Sequence, residues 1–456
     1  MSRRRPDDSC LRPHSAVHGQ RKPLTVEEFT ADVTDLSHEG QGITRAASGK
    51  VVFIHGALPG ERVRYRLTRA RKDHDEAEVS VVEQASPDRV EPRCAYFGVC
   101  GGCSLQHLAP EAQVAFKQKQ MLDALTRIAK VQPLEVVPAL TGPVWGYRRR
   151  ARLSVRHVPK KGGVLVGFRE RESPFVATMD SCEVLDPRVG RKLKALAQLI
   201  ESLSVRDAIP QIEIAAVERA VALLRVMRLP DDADREKLRG FAREHGLEIW
   251  LQPHGNDSAA PLEPDAQPLS YPMPDGLRLQ FTPTDFIQIN AAVNEATVRQ
   301  AIDWLAPKKD DHVLELFCGL GNFSLPLAKT GARVTAVEGE AGLVERAREN
   351  ARQNNLAVEF HRGDLFKPDL REGWMGAKYD LALLDPPRLG AAEILPHLAA
   401  QKPRRIVYVS CHPGTLARDA GTLVHQFGYR LARAGVMDMF PHTTHIESMA
   451  LFTHED

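Results

Sequence analysis

Between residues 290 and 456, short apolar runs alternate with longer segments of helical period, and few folds accommodate that rhythm. The runs are "HVLELFCG", "ARVTAVEG", "VEFHRGD", "YDLALLDPP" and "RIVYVSCHP"; "NAAVNEATVRQAIDWLAP", "GNFSLPLAKT" and "EAGLVERARENARQNNL" have the helical pattern. A strand that is apolar on both faces must be covered on both, which a parallel sheet flanked by helices provides. The pattern predicts an α/β fold with a doubly wound, mostly parallel sheet, closed by a hairpin of "YRLARAGVMDMF" and "HIESMALFTH". Such sheets bind ligands beyond the carboxyl ends of their strands. The residues just after "LELF", "AVE", "LLD" and "YVS" are therefore the candidates for chemistry.

"LELFCGLGNF" leaves the first strand through Gly319 and Gly321, which let the backbone approach a ligand closely. Glu338 ends the next strand about 20 residues on, where an acid accepts ribose hydroxyls. The third glycine of the pyrophosphate fingerprint is missing, so a nucleoside without a diphosphate, such as S-adenosylmethionine, fits better than a dinucleotide. Asp364, after "VEFHRG", is a candidate for the adenine amino group; the plainer reading is a cap. Asp385 in "LLDPPRLG" is presented by a stiff Pro-Pro turn. Cys411 in "VYVSCHPGTLARD" stands before a helix N-terminus, whose dipole is expected to lower its thiol pKa and make it a nucleophile. Cys318 reads as packing in the glycine loop. His442, His445 and Glu447 lack metalloprotease spacing and are not read as a metal site.

Upstream, residues 25–86 read as short strands broken by glycines, an OB-like barrel; in "ERVRYRLTRARK", Val63, Tyr65 and Leu67 alternate with Arg62, Arg64 and Arg66. Residues 87–274 mix helices and strands, and include "GPVWGYRRRARLSVRHVPKK", which has no acid. Both basic runs are expected to meet RNA, with Trp145 and Tyr147 as stacking surfaces. "SAAPLEPDAQPLSYPMPDG" reads as a linker or surface loop. The basic residues 1–24 read as a disordered tail. No apolar run approaches the roughly 20 residues of a membrane span, and no secretory signal is seen, so no membrane association and a cytoplasmic location are expected. Three of the seven cysteines, Cys94, Cys100 and Cys103, crowd into "CAYFGVCGGCSLQH", a pattern that suits metal better than disulfides. Spacing alone leaves zinc and iron open.

With "FIQIN", "LFCGLGNFSLPLA", "DPPR", "SCHPGTLARD" and "HIESM" in this order, the chain resembles the RNA uracil-5-methyltransferases, and among them the iron–sulfur type that modifies 23S ribosomal RNA. The resemblance covers residues 25–456. It implies an N-terminal TRAM-like barrel (25–86), a central α+β domain with a 4Fe-4S cluster (87–274) and a class I S-adenosylmethionine-dependent methyltransferase domain (275–456). It also implies Gln288, Phe317, Asn322, Glu338, Asp364 and Asp385 as cofactor or substrate contacts, Cys411 as nucleophile and Glu447 as base. Cys94, Cys100, Cys103 and the distant Cys182 would bind the cluster. The expected reaction is methyl transfer from S-adenosylmethionine to carbon 5 of a uridine, position 1939 of 23S ribosomal RNA, by a monomer. Family members usually carry Asn after the nucleophile; here it is His412.

Rival readings explain less. Another uridine, in rRNA or tRNA, would use the same residues. Cytosine-5 enzymes carry a Pro-Cys pair where "DPPR" stands, and an amino-group methyltransferase has no use for Cys411. Radical enzymes space their cysteines differently from Cys94 and Cys100. A non-enzymatic RNA-binding protein with a structural metal leaves the strand-end motifs without a role.

Overall fold

Four of the five apolar runs form the interior of an eight-stranded sheet because neither of their faces tolerates water; the fifth, "VEFHRGD", is an edge strand with a single buried residue. The structure, a computed structural model, describes residues 27–454; the basic tail expected at 1–24 lies outside them. The strands are β1 (His312–Leu316), β2 (Arg333–Glu338), β3 (Glu359–Arg362), β4 (Leu381–Leu384), β5 (Arg405–Ser410), β6 (Arg430–Met437) and β7 (Glu447–Thr453). They lie in the order β3-β2-β1-β4-β5-β7-β6, with the short strand Glu135–Val136 on the outer edge of β6. Strands β1 to β5 are parallel, while β7 runs antiparallel to both β5 and β6. The order in which strands are added reverses between β1 and β4, the crevice where such sheets take ligands. Every residue of β1 and β4 is buried, each large apolar side chain contributing about 1.5–3 kcal/mol.

Residues 29–84 form a separate six-stranded antiparallel and parallel barrel-like sheet around Val52, Ile54, Val63, Tyr65 and Ala77. The alternation expected in "ERVRYRLTRARK" holds, but the arginine face is not a bare cationic strip. Arg62 and Arg64 pair with Glu83, Arg64 and Arg66 with Glu28, and Arg69 and Arg71 with Glu76. A second six-stranded sheet, built from strands between Arg150 and Pro261, is backed by the helices Leu193–Ser202 and Asp232–His245. The expected linker is partly structured, since Leu269–Pro272 pairs with Arg278–Phe281.

The basic segment 148–161 also departs from expectation. Arg149 is buried, donates to the Gln288 carbonyl at 2.7 Å and sits 4.5 Å over the Tyr271 ring. Arg150 and Arg152 share Glu213. Tyr147 is buried and Trp145 is stacked on His442, so neither offers a free face to a base. Glu213, far away in sequence, meets two of the arginines of a run that carries no acid of its own. Among the described residues, no helix is long and apolar enough to cross a membrane.

Candidate active site

A cavity of about 1070 Å³ opens at the carboxyl ends of β1 to β5. Gln288, Phe317, Asn322, Glu338, Asp364, Asp385, Cys411 and Glu447 all line it, so the structure brings every expected cofactor and catalytic residue together. Strand register explains the last pair. Ser410 of β5 lies opposite Ser448 of β7, so one step further Cys411 leaves β5 beside Glu447, the first residue of β7. Because β7 is antiparallel, its start rather than its end reaches the ligand edge.

The loop after β1 turns through Phe317 (φ 65°), Gly319 (φ 55°) and Gly321 (φ 95°). It is tied to β2 by Glu338, whose carboxylate accepts the amides of Gly319 at 3.1 Å, Gly339 at 2.7 Å and Glu340 at 3.0 Å. A carboxylate has about four lone-pair directions, so three backbone donors leave capacity for one ligand hydroxyl unless a backbone bond is shared. Asn322 exchanges a pair of amide hydrogen bonds with Asn294, at 3.0 and 3.1 Å, which fixes the loop to the helix Ala291–Leu305. Asp364 closes a turn rather than capping a helix, and it is also a cavity residue: its Oδ1 accepts the Phe366 and Lys367 amides.

The electrostatics of the cavity hold protons. Burial pushes Asp385 up to about 7. It pushes Glu447 up to about 8, aided by Asp385 and opposed by Arg388 and Lys117. Glu315 on β1, joined to Ser324 and buried, is likewise pushed up to about 8. The expectation for Cys411 is overturned in this resting cavity. Burial first, then Glu447 and Asp385, push its thiol up to about 11 rather than down, and they outweigh the helix terminus and Arg388. His412 is the N-cap of the helix Pro413–Phe427, its Nδ1 accepting the Thr415 amide at 3.3 Å. An asparagine at this position could accept the same amide, so His412 keeps the capping role.

Three comparisons bear on this geometry. The tRNA (Uracil-5-)-methyltransferase family model matches residues 111–362 and 375–455, and the TRAM domain model matches 23–79. The chain belongs to this methyltransferase family. Its curated relatives include proteins named 23S rRNA (uracil(1939)-C(5))-methyltransferase RlmD. The one from Alkalilimnicola ehrlichii is 53% identical, covering 96% of this chain and 99% of the relative. That from Methylococcus capsulatus is 49% identical over 95% and 99%. The fold matches the crystal structure of Pyrococcus abyssi tRNA (uracil-54, C5)-methyltransferase in complex with S-adenosyl-L-homocysteine, with a TM-score of 0.71, 24% identity, and coverage of 93% of this chain and 100% of that one.

In the methyltransferase, the four expected cluster cysteines also meet. Cys94, Cys100, Cys103 and Cys182 line one narrow cavity with Tyr96, Phe97, Phe168 and Met179. Burial pushes Cys100 up to about 11 and Cys103 up to about 12, and the neighbouring thiols add to both. Among the described residues, no three His, Cys, Asp or Glu side chains converge as ligands of one metal ion. The donor chemistry nevertheless fits an iron–sulfur group, since four thiols facing one apolar space are the usual ligand set.

Sequence reasoning missed one cavity residue and one buried acid. Arg388 follows the Pro-Pro turn, and its Nη2 lies 3.0 Å from His445 Nδ1. Burial, and after it Arg388, pushes His445 down to about 4, so it faces the cavity neutral. Glu315, fully buried on β1 and outside the cavity lining, was signalled as the lone acid inside the run "HVLEL".

Proposed function

We propose that this methyltransferase transfers a methyl group from S-adenosylmethionine to carbon 5 of a uridine in 23S ribosomal RNA, with position 1939, named for its curated relatives, as the target. The observation that carries the reading is the shared cavity, with Cys411 and Glu447 side by side at its floor. S-adenosylmethionine supplies, when bound, an electrophilic methyl on a sulfonium. Gln288, Phe317, Asn322, Glu338 and Asp364 would hold it or the base, and Asp385 would contact either.

Carbon 5 of uracil is a weak nucleophile. Addition of the Cys411 sulfur to carbon 6 converts the ring to an enolate that attacks through carbon 5. The thiol proton must leave, and the Asp385 carboxylate, whose charge holds it on sulfur, is an acceptor within electrostatic reach, which leaves Glu447 free for the proton of carbon 5. After methyl transfer, Glu447 removes the proton from carbon 5, and elimination breaks the bond from Cys411 to carbon 6. A base with a pKa near 8 is matched to that task at neutral pH. The uridine must leave its stack to enter the cavity, and Phe286, exposed at the rim, offers a stacking surface.

The reading divides the chain into a TRAM barrel (25–86) and a central domain (87–274) that engage RNA, and a catalytic domain (275–456). It has the enzyme act as a monomer in the cytoplasm, since one chain carries all the site residues. Mass mapping of 23S ribosomal RNA from a deletion strain tests the target: the 5-methyluridine at 1939 is lost and returns with the wild-type gene. Loss at a tRNA uridine instead would overturn it.

Cys94, Cys100, Cys103 and Cys182 would hold the 4Fe-4S cluster, away from the reacting atoms. Purified Cys100→Ser is expected to lose most of its iron and to unfold at lower temperature, while its folded fraction still forms the Cys411 adduct. Iron content and thermal melts measure this, and full iron retention in the variant would remove Cys100 from the ligand set.

A further inference from the structure

The turn between β6 and β7, residues 438–446, delivers both His445 and Glu447 to the cavity. The cysteine-bearing region grips it. Lys117, fully buried on the helix α1 (Pro110–Ala124), donates through Nζ to Asp438 Oδ1 at 2.6 Å and to the Phe440 carbonyl at 2.9 Å. One helical turn earlier, Gln113 accepts the His442 amide at 2.7 Å. The Ser104 and Leu105 amides, next to Cys103, both donate to the His442 carbonyl at 2.9 Å.

A buried ammonium is costly unless it is paired and fully hydrogen-bonded, and this one spends its charge on the turn that leads to the base. We propose that Lys117 is a positioning residue for Glu447, fastening the 438–446 turn to α1 and keeping an ammonium paired with Asp438 near the base. This rests on Glu447 being the base.

The charge has a second effect. Asp385 and Arg388 face Glu447 from beyond β4, Cys411 from β5, neutral His445 from the turn and Lys117 from α1. Of these, Arg388 and Lys117 favour its ionised form. In the low-dielectric interior such a charge is weakly screened. Removing it therefore raises the pH at which Glu447 becomes competent.

Methyl transfer to a 23S ribosomal RNA fragment against pH tests this in Lys117→Met and in Lys117→Met/Asp438→Asn, which keeps the interior neutral should the single variant not fold. Expected is a fall in kcat of about tenfold or more with KM within about twofold. The rising limb of the profile moves to higher pH, Lys117→Arg recovers part of the loss, and 5-fluorouridine RNA still traps Cys411. A folded double variant with wild-type kcat and limb overturns the proposal, and so does a loss of kcat without a shift in pH, the mark of a structural role. If Glu447→Gln turns over at the wild-type rate, the base assignment itself falls and takes this inference with it.

Discussion

Cys411→Ala is expected to abolish methylation of ribosomal RNA, with a loss of roughly 10⁴- to 10⁶-fold, the scale seen when a nucleophile is removed. The variant should also form no covalent complex with RNA carrying 5-fluorouridine, whereas the wild type should be trapped. Fluorine at carbon 5 cannot leave as a proton does, so elimination stops and the bond from Cys411 to carbon 6 persists. Denaturing gels with labelled RNA read the result directly. An adduct persisting in Cys411→Ala would sink the assignment. The alanine is tolerated structurally, because the backbone here is held by β5 and by the His412 cap rather than by the sulfur.

Glu447→Gln is expected to do the opposite to the adduct. With ordinary uridine RNA, addition and methyl transfer proceed but the carbon 5 proton has no acceptor, so the covalent complex accumulates while kcat falls by about 10²- to 10⁴-fold. The pH dependence follows from the same group. Glu447 acts only when ionised, and its pKa is raised from 4.5 to about 8, so wild-type turnover climbs through about pH 8 instead of levelling off near 5. Stability runs the other way. Folding keeps a proton that the unfolded chain releases above about 4.5, so the stability this proton contributes is complete below that pH and is lost as pH rises to about 8. Glutamine cannot titrate, and the variant's thermal stability should decline less over that window. A rate profile flat from pH 6 to 9 would count against Glu447 as base.

The sheet was legible in the chain because its strands are apolar on both faces, and such runs fit only the middle of an α/β sheet. Cys411 and Asp385 were legible for a related reason: reactive groups directly after apolar runs fall at the ligand edge of a parallel sheet. Net interaction was harder to see. The basic runs 62–72 and 148–161 looked ready for RNA, yet Arg62, Arg64, Arg150 and Arg152 are answered by Glu83, Glu28 and Glu213, acids that fold in from elsewhere.

Sequence by itself determined the doubly wound architecture, through its apolar runs, and the family, through its ordered motifs, and it singled out the strand-end residues Glu338, Asp385 and Cys411 that line the cavity. Tertiary structure decided what those residues are like. The antiparallel register of β5 and β7 sets Cys411 beside Glu447, and burial then raises a thiol that the helix terminus alone would have lowered. It also decided that Lys117, an unremarked lysine in a helical stretch, is fully buried against Asp438, 321 residues away. Local pattern records which atoms are present; desolvation and long-range charge, which set their protonation, depend on what the rest of the chain packs around them.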